Sequence, residues 1–266
     1  MSCIEQFFNN DTATTEDNMK KTLSLLAVLM AASVAATPVQ AAIHYVSGFG
    51  GISWMQNMTL DEVYQSATGN YSSNYDLGSG LALTGAIGCD YGSYRLEAEA
   101  GYQTNDLKSA VDFIDGVAQT SVYANPAGSR YAMRGDVSIL SLMGNGYYDF
   151  DLGSKVELYA TAGVGVAQVS FHNTISIYAY TPPNGVAGHL DTNLDPGYNG
   201  HETTLAWQVG AGLAAPIADN VKLDLRYRYF ATTDFTLNGD NVAPALPTGN
   251  TNLSSHSVLL GLRVDF

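Results

Sequence analysis

The final eleven residues, 256–266, constrain the fold more than any other stretch of the chain. Val258, Leu260, Leu262, Val264 and Phe266 alternate with Ser257, Leu259, Gly261, Arg263 and Asp265, and the sequence closes on the aromatic. Alternation of period two marks a strand whose two faces meet different surroundings. One face here is wholly apolar, whereas the other carries an arginine and an aspartate. A sandwich buries its apolar face; a transmembrane barrel turns that face to lipid. Further strands of this kind, together with an export signal, select the second arrangement.

The export signal starts at an internal methionine. Met19, Lys20 and Lys21 precede an uncharged run over 22–36, which is followed by Thr37, Pro38, Val39, Gln40 and Ala41. A basic n-region, a short apolar h-region and small residues before the cut define a secretory signal peptide. The run falls short of the ~20 apolar residues that a membrane helix needs. Residues 1–18 look unlike any export segment and read as an extension upstream of the true start. The expected organisation is therefore 1–18 mis-start extension, 19–41 signal peptide and 42–266 outer-membrane barrel domain. Cys3 precedes the signal, so Cys89 stands alone beyond it and no intrachain disulfide is expected. From Ala42 onward there are nine basic and 21 acidic residues, a balance that disfavours nucleic-acid partners. No other apolar run approaches helix-spanning length, so any membrane crossing must use strands.

Alternation predicts eight strands, at 44–55, 80–89, 94–103, 137–150, 155–169, 203–215, 221–230 and 255–266. Strands two and three are separated by 90–93 (Asp-Tyr-Gly-Ser), four and five by 151–154 (Asp-Leu-Gly-Ser), and six and seven by 216–220 (Pro-Ile-Ala-Asp-Asn), all turn-forming residues. The remaining connections, 56–79, 104–136, 170–202 and 231–254, are long. Strict alternation of short and long connections is the asymmetry of outer-membrane barrels. The expected fold is all-β: an eight-stranded antiparallel transmembrane β-barrel with four long external loops and three short periplasmic turns. The first strand is ambiguous in phase, because Gly48, Gly50 and Gly51 blur its alternation.

The third strand sets Tyr94, Leu96, Ala98, Ala100 and Tyr102 against Arg95, Glu97, Glu99 and Gln103. The seventh sets Leu223, Leu225, Tyr227 and Tyr229 against Lys222, Asp224, Arg226 and Arg228. Ionised side chains do not belong in mid-membrane lipid, so the charged faces are expected inside, with Tyr94, Tyr102, Tyr229 and Phe266 in the interfacial aromatic belts. The predicted interior network is Arg95, Lys222, Arg226, Arg228 and Arg263 with Glu97, Glu99, Asp149, Glu157, Asp224 and Asp265. Eight strands leave only enough lumen for side chains to fill, and unpaired buried charge is costly. The network reads as a plug that holds the barrel shut; the competing reading is a narrow ion path. Gly163, Gly210, Gly212 and Gly261 on the inner face are expected to make room for crossing arginines.

Residues 142–153 (Leu-Met-Gly-Asn-Gly-Tyr-Tyr-Asp-Phe-Asp-Leu-Gly), 206–212 (Ala-Trp-Gln-Val-Gly-Ala-Gly), 223–229 (Leu-Asp-Leu-Arg-Tyr-Arg-Tyr) and 257–266 carry a resemblance to small outer-membrane barrels. The chain resembles the opacity-protein and surface-antigen group, similar to the transmembrane domain of outer-membrane protein A, over 42–266 and most strongly from Leu140. The resemblance implies insertion by the barrel-assembly machinery, with Phe266 as the assembly signal. It implies no peptidoglycan-binding role, because the sequence ends with the barrel.

The predicted external loops hold twelve acidic residues against Lys108, Arg130 and Arg134. Solvation of the loops accounts for this; divalent bridging to lipopolysaccharide, or a basic partner, is the functional alternative. In 191–202, Asp191, Asn193, Asp195 and Glu202 occupy positions 1, 3, 5 and 12 of an EF-hand-like loop, a weak Ca²⁺ pattern because Pro196 replaces the required glycine. Tyr64, Tyr71, Tyr75, Tyr123, Tyr178, Tyr180 and Tyr198 suit either an adhesive surface or packing above the rim. His256 with its neighbouring serines loosely resembles the pair of outer-membrane lipid A deacylases, but no orienting acid accompanies it. The expected function is a monomeric, non-enzymatic surface barrel of the Gram-negative outer membrane. It would lie among lipid and lipopolysaccharide and contact host or environmental ligands through its loops. A small porin is the first alternative and a lipid A-modifying enzyme the second.

Overall fold

The computed structural model describes residues 43–66, 69–118, 131–153, 155–177, 198–237 and 249–266. The leader segments read at 1–18 and 19–41, and Ala42, lie outside them, as do Asp191, Asn193 and Asp195. Among the described residues every regular element is a strand: β1 (Ile43–Met55), β2 (Met58–Ser66), β3 (Gly69–Asp90), β4 (Tyr94–Ile114), β5 (Val117–Ala118), β6 (Tyr131–Phe150), β7 (Glu157–Ile177), β8 (Tyr198–Ala218), β9 (Val221–Thr232), β10 (Phe235–Leu237), β11 (Gly249–Thr251) and β12 (Ser254–Asp265).

Eight of these close a ring. Antiparallel pairing runs β1–β3–β4–β6–β7–β8–β9–β12 and returns to β1, where Tyr45 lies opposite Asp265 and Met55 opposite Ser255. Closure removes the unpaired edges that an open sheet would expose to lipid. It also resolves the phase of β1. Tyr45, Ser47, Phe49, Ser53 and Met55 point inward and Val46, Ile52 and Trp54 outward, so the glycines do not break the alternation.

Two of the predicted short turns share one chemistry. The Gly92 amide donates to Asp90 Oδ1 (2.8 Å) and the Gly153 amide to Asp151 Oδ1 (2.9 Å). Both glycines adopt positive φ, +94° and +63°, which a β-carbon would resist. Each Asp-X-Gly reverses the chain at the end that faces the periplasm in outer-membrane barrels.

At the opposite end the strands run well past their predicted limits. Much of 56–79, 104–136, 170–202 and 231–254 is wall rather than loop: β3 begins at Gly69, β4 reaches Ile114, β6 starts at Tyr131 and β7 ends at Ile177. Irregularities at Leu77/Gly80, Asp106/Ser109, Arg134/Asp136 and Phe171/Thr174 reset the pleat, so a simple period-two scan stops there. Only β9, β12 and β1 remain short. Above them β2, β10 and β11 continue the wall, with β2 pairing to β3, β11 to β2, and β10 to β11.

The outward face divides the wall into two tiers. Toward the turns it is apolar, as at Leu83, Leu142, Val164, Leu225 and Leu260, all exposed. Past Tyr102, Trp54 and Leu205 it becomes polar, with Asp106, Lys108, Arg134, His172 and His201 exposed. The first tier is the lipid band and the second stands outside it.

Candidate functional site: the barrel interior and its outer rim

Inside the lipid band the inward positions carry the charges. Arg95 on β4 grips Asp149 on β6 at two points, Nε to Oδ2 and Nη2 to Oδ1, each 2.8 Å. Its guanidinium also lies over the rings of Tyr147 (4.4 Å) and Tyr159 (4.9 Å), a stacking that suits arginine better than lysine. Arg226 on β9 crosses to Glu99 on β4 (2.9 Å), approaches Glu97 (3.9 Å) and covers Phe49 (4.0 Å). Arg228 reaches Glu99 at 3.6 Å and donates to Gln103 at 3.4 Å. Nearer the turns, Glu157 holds both Lys222 and Arg263, the latter at 2.5 Å. Asp265 lies 3.7 Å from Arg263 and 3.8 Å from Lys222.

The structure thus brings the eleven charges read from the sequence into one lumen, though not as acid–base pairs alone. Asp224 accepts from the Tyr159 hydroxyl at 2.6 Å rather than from an arginine. Glu97 accepts from Tyr147 (2.5 Å), Tyr45 (3.1 Å) and Asn145 (3.4 Å). Sequence reasoning placed Tyr159 on the polar face of its strand but did not identify it, Tyr45, Tyr147 or Asn145 as partners of the charges. The signal was available, since Tyr147, Tyr159 and Asn145 alternate in phase with the charges, but an aromatic on an inward face is ambiguous until the lumen is assembled.

The inner glycines also differ from expectation. Three of them clear space for aromatic or amide side chains rather than for arginines, and Gly210 lies against the Tyr227 backbone carbonyl. A β-carbon on Gly212 would meet the Tyr159 ring, one on Gly261 the Phe49 ring, and one on Gly163 the Asn145 amide.

Beyond the lipid band the interior inverts. Met58, Leu60, Leu77, Leu107, Phe171 and Leu237 belong to one buried apolar cluster that also reaches Val137, Val169 and Phe230. Val137 and Val169 are completely shielded. Tyr75, read from the sequence as loop, sits in this cluster too. The outer tier therefore has the layout of a water-soluble barrel, apolar within and polar without, stacked on a membrane barrel with the reverse layout. Between them lies a layer of neutral polar side chains: Gln103 donates to Asn105 (3.0 Å) and accepts from Ser255 (3.1 Å), and Ser53 donates to Asn105 (3.0 Å). The axis meets ion pairs, then amides, then a hydrophobic core.

The strand itself separates His256 from two of its three neighbouring serines. Ser255 and Ser257 point into the lumen, while His256 faces outward and contacts Tyr227 and Gln56. Ser254, also on the outer side, donates to Gln56 (3.0 Å). Of the predicted Ca²⁺ ligands only Glu202 is described, and it belongs to the β8 wall opposite Val169. Phe266 is exposed beside His44, its amide donating to the His44 carbonyl (2.8 Å). In the aromatic belt at the turn end, Tyr91 stacks on Tyr94 (5.2 Å) and Tyr148 meets Phe150 edge-on (5.1 Å).

The chain is similar to known outer-membrane proteins. A Rickettsia conorii protein named "Putative adhesin RC1281" is 28% identical over 195 residues, covering 70% of this chain and 69% of that one. Outer membrane protein PagN of Salmonella typhimurium is 26% identical over 176 residues, 65% of each chain, so just under two thirds of PagN is spanned. The crystal structure of Neisserial surface protein A aligns with 85% of this chain and 100% of its own, at 17% identity and a TM-score of 0.47. The family described as "Outer membrane protein beta-barrel domain" matches residues 24–266. The chain belongs to that family and is an integral β-barrel protein of the outer membrane.

Proposed function

We propose that the protein is a closed, non-enzymatic surface barrel that lifts its external loops clear of the membrane for adhesive contact with a host or environmental surface. The observation that carries this reading is the double seal of the lumen, ion-paired within the lipid band and apolar above it. A path for ions or solutes would have to cross both. The outer tier serves instead as a rigid pedestal for the connections that include 119–130, 178–197 and 238–248. The adhesin designation of the Rickettsia relative supports the contact role. The separation of His256 from Ser255 and Ser257 by the wall, with Gln56 interposed between His256 and Ser254, supports the absence of a hydrolytic centre. The export segment at 19–41 and the exposed Phe266 support delivery through the signal pathway and the barrel-assembly machinery.

The test uses bacteria displaying the full protein, compared with a variant in which 178–197 is replaced by a short Gly-Ser linker. Attachment to cultured epithelial monolayers is counted for both. Loss of attachment in the linker variant, at equal surface amount, is the expected result. Planar-bilayer recording of the purified protein should show no steady conductance. Regular channel steps would replace this reading with the porin.

A further inference from the structure

Where the short ring strands β9, β12 and β1 adjoin β8, outward side chains gather into one aromatic patch. Tyr229 lies 5.0 Å from the His256 ring and 5.4 Å from Trp207, and Tyr227 lies 6.0 Å from His256. Trp54 is opposite His256 in the β1–β12 register. Trp54, Trp207 and Tyr227 are each more than 40% exposed, and they are level with the change from apolar to polar outward residues.

A directed hydrogen-bond chain runs through this patch. Ser254 Oγ donates to Gln56 Oε1 at 3.0 Å, and the Gln56 amide nitrogen lies 3.0 Å from His256 Nε2. An amide nitrogen only donates, so Nε2 accepts, and a neutral imidazole then carries its proton on Nδ1. That proton points to the Tyr227 hydroxyl oxygen, 2.6 Å away. The phenol is left with its own O–H to give, and among the described residues no acceptor for it is recorded. The chain therefore ends in a polarised donor directed to the lipid side. No lysine or arginine occupies an outward position of β8, β9, β12 or β1, so the patch is not made for a phosphate. Flat rings around a neutral donor suit the C–H faces and hydroxyl oxygens of a sugar. The apolar wall below, at Val258, Leu260 and Leu225, suits acyl chains.

We propose that this patch seats the membrane-proximal sugar of an outer-leaflet glycolipid. The ring faces of Trp54, Trp207 and Tyr229 pack on the sugar and the Tyr227 hydroxyl donates to it. His256, Gln56 and Ser254 position that hydroxyl.

The chain contains two tryptophans, Trp54 and Trp207, and both belong to the patch, so intrinsic tryptophan emission reports on it selectively. The purified protein is placed in phosphatidylcholine nanodiscs with increasing mole fractions of lipopolysaccharide or, separately, of phosphatidylethanolamine. A saturable emission change with lipopolysaccharide alone is expected. Tyr227→Phe, which removes one oxygen, should raise the half-saturating fraction about three- to tenfold. Tyr102→Phe, in the same belt on β4, should leave it unchanged. Retarded mobility on heating before electrophoresis verifies that each variant is folded. An equal response to phosphatidylethanolamine would show an ordinary aromatic belt and overturn the proposal, as would a Tyr227→Phe titration matching the unmodified protein.

Discussion

Arg226 and Glu99 span the full width of the barrel: β9 and β4 are four places apart in a ring of eight, and the two side chains meet at 2.9 Å. A contact between neighbouring strands fixes local register, but a contact across the diameter fixes the ring itself. Arg228 with Gln103 repeats the diametric tie one pleat further out.

Arg226→Met should destabilise the barrel by about 3–5 kcal/mol, because it takes from the buried Glu97 and Glu99 carboxylates their shared counter-charge and leaves only Arg228, 3.6 Å from Glu99, beside them. The double variant Arg226→Met with Glu99→Gln should be more stable than Arg226→Met alone. Urea titration of the refolded proteins in detergent, followed by heat-modifiable mobility, measures both. Additive losses would show that the two side chains do not act as a pair.

The apolar tier should behave like a soluble core. Phe230→Ala deletes a buried ring and is expected to cost about 3–5 kcal/mol. Leu260→Ala, on the lipid face at 55% exposure, should cost much less, because lipid fills the space. Urea midpoints of the two variants give the comparison.

Gly212→Ala should be destabilising, because its methyl group needs the space held by the Tyr159 ring, and displacing that ring breaks the bond to Asp224. In a Tyr159→Ala background the same change should cost clearly less. Thermal midpoints of the four proteins in a double-mutant cycle test this coupling, and equal costs in both backgrounds would argue against it.

Phe266→Ala should reduce the amount of protein reaching the outer membrane while leaving refolding in detergent unaffected, since the ring is 73% exposed. Fractionated cells report the first quantity and refolding yield the second. An equal loss in both would make Phe266 a stability residue instead of an assembly signal.

The lower tier was legible in the sequence, because Arg95, Glu97 and Glu99, or Asp224, Arg226 and Arg228, alternate with residues suited only to lipid. One charge on every second position leaves a single way to face the sheet. The upper tier was not legible, for two physical reasons. Its strands pass through bulges, one of them at Gly135 with φ +127°, which reset the pleat. Its polarity is also reversed, so that Leu107 and Phe171 point inward where the same pleat below points Glu99 and Tyr159 inward. A scan tuned to apolar-out strands therefore ends at the belt. The partners of Asp224 and Glu97 were hidden for another reason: tyrosines and amides announce no charge, and only the closed ring brings them within reach.

The reversal of both faces at one level has a consequence for position. Sliding the barrel toward the cell would drag Asp106, Lys108 and His201 into hydrocarbon, and sliding it outward would strip lipid from Leu260 and Leu225. Depth is thus set by the wall's own chemistry. β4 continues eleven residues beyond Gln103, which at barrel tilt is a stand-off of roughly 25 Å. The outer end of β4 is therefore held at a fixed height, beyond the sugars nearest the bilayer surface.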